Sequence, residues 1–290
     1  MDNATGIFEA QRPRLISLCY RMLGERAAAE DAVQDTWLRW SEAKPQDVSN
    51  PAAWLTRVAT NIAIDMLRSA RMRRETYVGP WLPEPLIATE GHPVEDDFIQ
   101  AQECGLAMLW AMERLDAVER AAFILRDAFD ADYRDIAEVL GKSEAACRQL
   151  ISRARKRVQR GGPRFDVPKA QAAELLRRFY AASAAGDFEA VKRLLAPDVV
   201  AISDGGANAR AVRRILQDAA DIFRVMLAMV DRYRTEPGWS LESCTANGAP
   251  ALLVRQNGLP ESVMSLMLDA SGRVAWFYSM RAPEKLRHVR

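Results

Sequence analysis

The chain has 290 residues and a formal net charge of +1, from 40 Lys and Arg against 39 Asp and Glu. Hydrophobic residues make up 49% and charged residues 27%, a balance that fits a soluble globular protein and excludes collagen-like, low-complexity and wholly disordered classes. The length exceeds one typical core and implies two or three domains.

Residues 1–74 read as helical. Ile7, Leu15, Leu18, Cys19, Met22 and Leu23 fall near helical spacing, and Gly24 stops the run. A second helix is expected from about Ala27 to Trp40. Asn50-Pro51 then reads as a cap with proline in the first turn of a third helix, whose stripe is Trp54, Leu55, Val58, Ala59, Ile62, Ala63, Met66 and Leu67. That helix ends in Arg68, Arg71, Arg73 and Arg74. Residues 75–100 change character, with Pro80, Pro83, Pro85 and Pro93, six acids and no Lys or Arg. The composition is that of a linker. Yet Trp81, Leu82 and Leu86 sit inside it, and a plain spacer does not need large apolar residues. This piece is expected to dock onto a folded surface.

Residues 101–160 are again helical, with Met108, Leu109, Met112 and Leu115 on one face and Ala121, Phe123, Ile124 and Leu125 in the next helix. Tyr133 to Leu140, a turn at Gly141, and a helix from Glu144 to Val158 capped by Ser143 form a helix-turn-helix pattern. Gly161-Gly162-Pro163 ends it. The tail is expected to hold helices Ala170–Ala185 and Phe188–Leu195, a strand Val199–Ser203 and a long helix Arg210–Tyr233. Strands Trp239–Thr245, Ala251–Gln256, Ser262–Leu268 and Arg273–Met280 follow, punctuated by Asn247-Gly248, Asn257-Gly258 and Ser271-Gly272. Helices followed by a meandering sheet make this part α+β.

The four cysteines form no CxxC pair, and the only histidines are His92 and His288, so neither a metal site nor a disulfide framework is expected. Buried thiols in a reducing cytoplasm are the simpler expectation. No signal peptide, membrane span or cofactor is expected either.

The helix-turn-helix carries the chemistry. From Lys142 to Arg160 there are seven basic residues and one acid. Arg148, Gln149, Ser152 and Arg153 lie on or near one face, from which side chains reach base edges in a major groove. Lys142, Arg155 and Lys156 are placed to meet phosphates. A merely solvated basic face on a structural hairpin is the competing reading. In the second helix, Asp31, Gln34, Asp35 and Leu38 share a face, which suits docking on a basic partner.

In context these segments resemble a bacterial RNA polymerase sigma factor of the extracytoplasmic-function type. Ala29 to Arg39 looks like that family's polymerase-binding signature, Trp54 to Arg68 like its −10 reader, and the helix-turn-helix like its −35 reader. The resemblance implies core RNA polymerase as a partner, through its β′ clamp helices and β flap, and promoter DNA. It places Asn61 in a pocket for an unpaired −10 base together with the loop Asp47–Ala53. Holding such a base costs a few kcal/mol of unstacking, partly recovered by stacking and edge hydrogen bonds. Trp54 reads as core more than as a stacking platform. Arg68, Arg71, Arg73 and Arg74 are expected to hold the DNA backbone by charge.

Residues 169–290 resemble a SnoaL-like domain, a cone-shaped α+β fold found fused to a subgroup of these sigma factors. Trp81-Leu82-Pro83-Glu84-Pro85-Leu86 matches that subgroup's linker motif. Asp204-Gly205-Gly206 matches a loop motif, except that Ala207-Asn208 replaces the usual Gly-Lys. Ala282 to Leu286, with Lys285, is close to a C-terminal motif. The resemblance implies that the tail stands in for a separate anti-sigma protein, through Trp81, Leu82, Pro83, Asp204, Gly205, Gly206 and Lys285. The expected domains are 1–75, an acidic linker 76–102, 103–162 and 168–290. The rival is a helix-turn-helix regulator fused to a ligand-binding or isomerase-like tail, with Asp204, Asp231 or Tyr233 as acid–base groups. No catalytic residue is assigned, because no partner base is evident.

Overall fold

The computed structural model describes residues 3–43, 48–161, 169–207 and 209–289. Two compact units form, Met1–Thr76 with Val94–Gly162 and Tyr77–Pro93 with Pro163–Arg290. The segment expected to be one linker over 76–102 is therefore divided. Its proline-rich half folds with the tail, and its acidic second half folds with the helices.

The helical unit begins with α1 (Asn3–Leu23), α2 (Arg26–Glu42) and α3 (Pro51–Arg74). Their apolar stripes meet in one core that includes Leu15, Leu18, Cys19, Met22, Ala32, Val33, Trp40, Leu55, Ala59 and Leu67. Asn50 caps α3 as its sequence suggests, its side chain accepting from the Ala53 N–H at 3.1 Å. Short 3-10 turns at Asp96–Phe98 and Ala101–Glu103 lead to α4 (Leu106–Met112) and α5 (Ala117–Asp127). Leu109, Met112 and Leu115 are buried, but Met108 is exposed, so α4 is short and turns only part of its apolar residues inward. Asp116 and Glu119 form a reciprocal capping box at the start of α5.

The helix-turn-helix is α6 (Tyr133–Leu140) and α7 (Glu144–Gly161). Asp132 caps α6, accepting from the Asp135 N–H at 2.8 Å. Gly141 takes φ +61°, which lets the Lys142 N–H return to the Ala137 carbonyl at 3.0 Å and close the helix. In α7 the buried residues Cys147, Leu150, Ile151, Ala154 and Val158 recur at helical spacing, leaving the basic residues outside.

The tail unit has α8 (Lys169–Ala185), α9 (Phe188–Leu194) and α10 (Ala219–Thr235) over one six-stranded sheet. Its strands are β1 (Ile87–Ala88), β2 (Leu195–Asp204), β3 (Trp239–Ala246), β4 (Ala249–Gln256), β5 (Leu259–Leu268) and β6 (Val274–Met280), in the order β1-β3-β4-β5-β6-β2. All neighbours are antiparallel except β2 and β6, which run parallel with Asp204 opposite Met280. The core joins Phe179, Val191, Met226, Val254, Leu266 and Phe277. Asn247 and Asn257 take φ +47° and +52° ahead of glycines, the geometry of two-residue hairpin turns.

The long helix expected over Arg210–Tyr233 is shorter than its apolar spacing suggests. It begins after Asp218, whose side chain accepts from the Ala220 and Asp221 N–H groups at 2.8 and 3.1 Å. The preceding stretch is not helical, and Leu216 within it pairs with Ala201. The cap fixed the boundary, and apolar spacing alone could not.

Candidate nucleic-acid interface and linker anchor

The helical unit presents three candidate surfaces. On α2, Asp31, Gln34, Asp35 and Leu38 are all exposed, with Leu38 at 51% exposure despite its apolar side chain. Ala29, Ala32, Val33, Thr36 and Trp40 fill the opposite face. An exposed leucine amid carboxylates suits a contact that is partly apolar and partly ionic.

In the turn before α7, Lys142, and on α7, Arg148, Gln149, Ser152, Arg153, Arg155 and Lys156, are all exposed. Several are oriented by acids of the same unit. Arg148 pairs with Glu144 at 2.8 Å and lies 4.8 Å over the Tyr133 ring. Glu119, nearly buried on α5, receives Arg157 at 2.5 Å and Arg153 at 3.8 Å. Arg155 was expected on phosphates, but its guanidinium engages both carboxylate oxygens of Asp127, which raises its pKa. It braces α7 against α5.

The α3 surface departs further from expectation. Arg71 donates to the carbonyls of Glu113 and Leu115, and Arg74 donates to Glu113 at 2.5 Å and to the Leu23 carbonyl at 2.9 Å. Burial lowers the pKa of both guanidiniums, against the raising effect of Glu113. Fully buried Arg120 completes the cluster, bonding Glu113 and the Arg21 carbonyl. Arg71 and Arg74 thus tie the end of α3 to the α4–α5 turn, and in this arrangement they are not free for a DNA backbone. Arg68 is exposed beside Asp65 at 3.5 Å. The side chain of Arg73 lies outside the described residues, as do Asp47 and Asn208.

Trp54 is half-buried, its ring 5.3 Å from that of Trp40, in keeping with a core role. It also borders a cleft of about 460 Å³ with Asn50, Ala53 and Arg57 on one side and Asp135, Ile136 and Glu138 of α6 on the other. Asn61 does not line this cleft. It sits exposed about two turns further along α3.

The tail unit holds a different kind of site. Asp204, at the end of β2, is 0% exposed and Lys285 is 6% exposed. The Lys285 ammonium donates to Asp204 at 2.8 Å and to the Leu82 carbonyl at 2.6 Å, and lies 4.2 Å over the Trp81 ring. Asp204 also accepts from the Tyr77 hydroxyl at 2.6 Å, the Leu82 N–H at 2.8 Å and the Gly206 N–H at 3.0 Å. Each charge is compensated by several hydrogen bonds, the condition under which a buried pair is tolerated. Gly205 is required by space and Gly206 is favoured by its φ of +59°. A Cβ on Gly205 would lie 2.5 Å from that of Ala211, and one on Gly206 would lie 2.6 Å from the Glu284 carboxylate.

The linker is held along its length. The Tyr278 hydroxyl donates to the Pro83 carbonyl at 2.6 Å. Leu86 and Asn247 exchange two hydrogen bonds at 2.9 and 2.8 Å. Ile87 and Ala88 then extend the sheet as an edge strand on β3. Tyr77, Asn247 and Tyr278 escaped the sequence reading. Asn247 was visible only as a turn residue, and Tyr278 only as a strand residue.

The acid–base groups of the rival reading are not brought together. Asp204 is engaged by the linker, Asp231 is exposed, and burial pushes the Tyr233 hydroxyl up to about 12. All four cysteines are buried and free of disulfides, and burial raises each thiol pKa. No helix among the described residues is long and apolar enough to cross a membrane.

Family models and relatives agree on what this architecture is. Sigma-70 region 2 matches residues 7–73, and Sigma-70 region 4 matches residues 106–158. The ECF RNA polymerase sigma factor SigJ of Mycobacterium tuberculosis is 41% identical over 230 residues, spanning 78% of this chain and 73% of SigJ. Probable ECF RNA polymerase sigma factor SigI of the same organism is 29% identical over 291 residues, covering 100% of this chain and 97% of SigI. The crystal structure of SigJ superimposes with a TM-score of 0.76 at 33% identity and covers 98% of both chains, mixed-sheet tail included. The chain belongs to the extracytoplasmic-function (ECF) RNA polymerase sigma factors, which recognise promoters and initiate transcription.

Proposed function

We propose that this sigma factor reads its promoter through the exposed face of α7, docks on core RNA polymerase through the exposed face of α2, and is regulated by its own tail gripping the linker. In this reading Arg148, Gln149, Ser152 and Arg153 read the −35 element, with Lys142 and Lys156 on phosphates. Asp31, Gln34, Asp35 and Leu38 meet the β′ clamp helices. On α3, exposed Asn61 and Arg68 remain the −10 candidates, and region 4 engages the β flap.

The observation that carries the regulatory part is the Asp204–Lys285 pair, which bonds both the N–H and the carbonyl of Leu82. A linker held at its backbone cannot move freely between the two DNA-reading regions. The proposal concerns this contact in cis, and it leaves room for a second protein acting in trans. The last residues of the chain contribute Lys285, whereas the rest of the tail supplies the sheet that carries the linker. Truncation after Arg281 should therefore raise transcription in a reconstituted polymerase assay, and removal of residues 169–290 should lower it. Equal promoter output from both truncations and the full chain would overturn the regulatory role while leaving the sigma activity intact.

A further inference from the structure

A second cavity lies in the tail unit, between β2, β6, α10 and the stretch before it, with a volume of about 330 Å³. It is at the small end of the usual range for ligand pockets, roughly 300–1,000 Å³. Ile202, Met226, Met229 and Phe277 give it apolar walls. Three arginines, Arg210, Arg232 and Arg281, also line it, and no carboxylate among the described residues does.

The charges behind these arginines leave a positive excess. Arg281 pairs with Glu261, and Arg232 shares that carboxylate at 3.6 Å while reaching Glu236 at 3.1 Å. Two acids therefore serve two arginines. Arg210 is exposed and has no ion pair among the described residues. Apolar walls with three guanidiniums against two acids in one small cavity select a molecule with an apolar body and one anionic end.

We propose that this cavity is a binding site for one small amphiphilic carboxylate, its apolar body against Met226 and Phe277 and its carboxylate on Arg281 and Arg210. The site is distinct from the linker anchor, yet it adjoins it. Ser203 lines the cavity and precedes Asp204, and the Arg281 backbone N–H donates to the Asp204 carbonyl at 2.7 Å.

The test is calorimetric titration of the full chain with octanoate and, separately, with octanol, both below their aggregation limits. It needs no polymerase, so its outcome is independent of the transcriptional role. Octanoate should bind saturably, and octanol about tenfold more weakly, the difference that a charge-assisted hydrogen bond supports. Arg281→Met should remove that preference while leaving octanol binding unchanged. Arg210→Met, on an exposed side chain, should reduce it without disturbing the fold. No saturable octanoate binding, equal affinity for acid and alcohol, or a preference that survives Arg210→Met together with Arg281→Met would each overturn the site.

Discussion

The two units solve opposite problems with the same residue types. In the helical unit the charges proposed to meet partners lie outside. Asp31 and Asp35 on α2 and the basic face of α7 are exposed, and buried Arg120, bonded to Glu113 and to the Arg21 carbonyl, ties one helical region to the other. In the tail unit the ion pair of Asp204 and Lys285 is itself buried, and what it holds is a piece of its own chain. Exposed charges in water contribute little to stability and act through long-range attraction and specificity. A buried pair contributes to position, and breaking one side of it is costly. The helical unit should therefore lose an exposed charge and stay folded, whereas loss of the tail pair should loosen the linker at Leu82.

Charge reversal on α2 gives the largest expected effect. Asp31→Arg combined with Asp35→Arg should abolish binding to core RNA polymerase while leaving the thermal unfolding midpoint nearly unchanged, because both side chains are exposed. Retained binding in a pull-down with core enzyme would remove this face from the interface. A midpoint lowered along with binding would mean that the acids belong to the fold.

The corresponding change in the tail should behave the other way. Asp204→Asn keeps the shape but leaves the Lys285 ammonium buried without its carboxylate, a loss on the order of 3–5 kcal/mol. Hydrogen exchange should report it first at the amides of Leu82 and Gly206, which donate to Asp204. Protection of both amides unchanged from wild type would show that the pair does not hold the linker.

The contrast also explains what the sequence could disclose. Helix faces repeat every three or four residues, so the exposed set on α2 and the exposed basic face of α7 are legible from spacing alone. The linker motif showed that apolar residues there must dock, and Asp204 and Lys285 stood out through the family resemblance. Their joint grip on Leu82 did not follow from spacing, because Lys285 and Leu82 are 203 positions apart and Asp204 and Leu82 are 122 apart. The same separation in sequence hides the partners of Arg71 and Arg74. A run of arginines at a helix end looks like a phosphate contact, and the acid that claims Arg74, Glu113, lies 39 residues further on. Asn61 was placed in a pocket by resemblance, but the cleft in this structure is lined from Trp54 and the residues before it, together with Thr56 and Arg57.

A smaller effect separates reading from holding on α7. Arg148→Ala should relax preference at one −35 position by about 1–3 kcal/mol if its guanidinium meets a base edge in place of its partner Glu144. Titration over promoter variants with the assembled holoenzyme distinguishes the cases. Equal weakening on every sequence would assign Arg148 to phosphate, as expected of Lys156.

The smallest expected change tests whether the two units are independent in stability. The Asp132 side chain caps α6 through the Asp135 N–H at 2.8 Å, and a carboxylate there also suits the positive end of the helix. Asp132→Ala should cost about 0.5–2 kcal/mol, and Asp132→Asn should recover most of it, since asparagine caps equally well. The loss should appear as faster hydrogen exchange in α6 and α7, whose buried residues, among them Ile136 and Cys147, share the helical core. Exchange at Leu82 and Leu86 should not change, because those amides are held by Asp204 and Asn247 of the tail unit. Faster exchange at the linker in Asp132→Ala would mean that loosening the DNA-reading helices is transmitted to the tail, and the separation between an exposed reading surface and a buried anchor would fail.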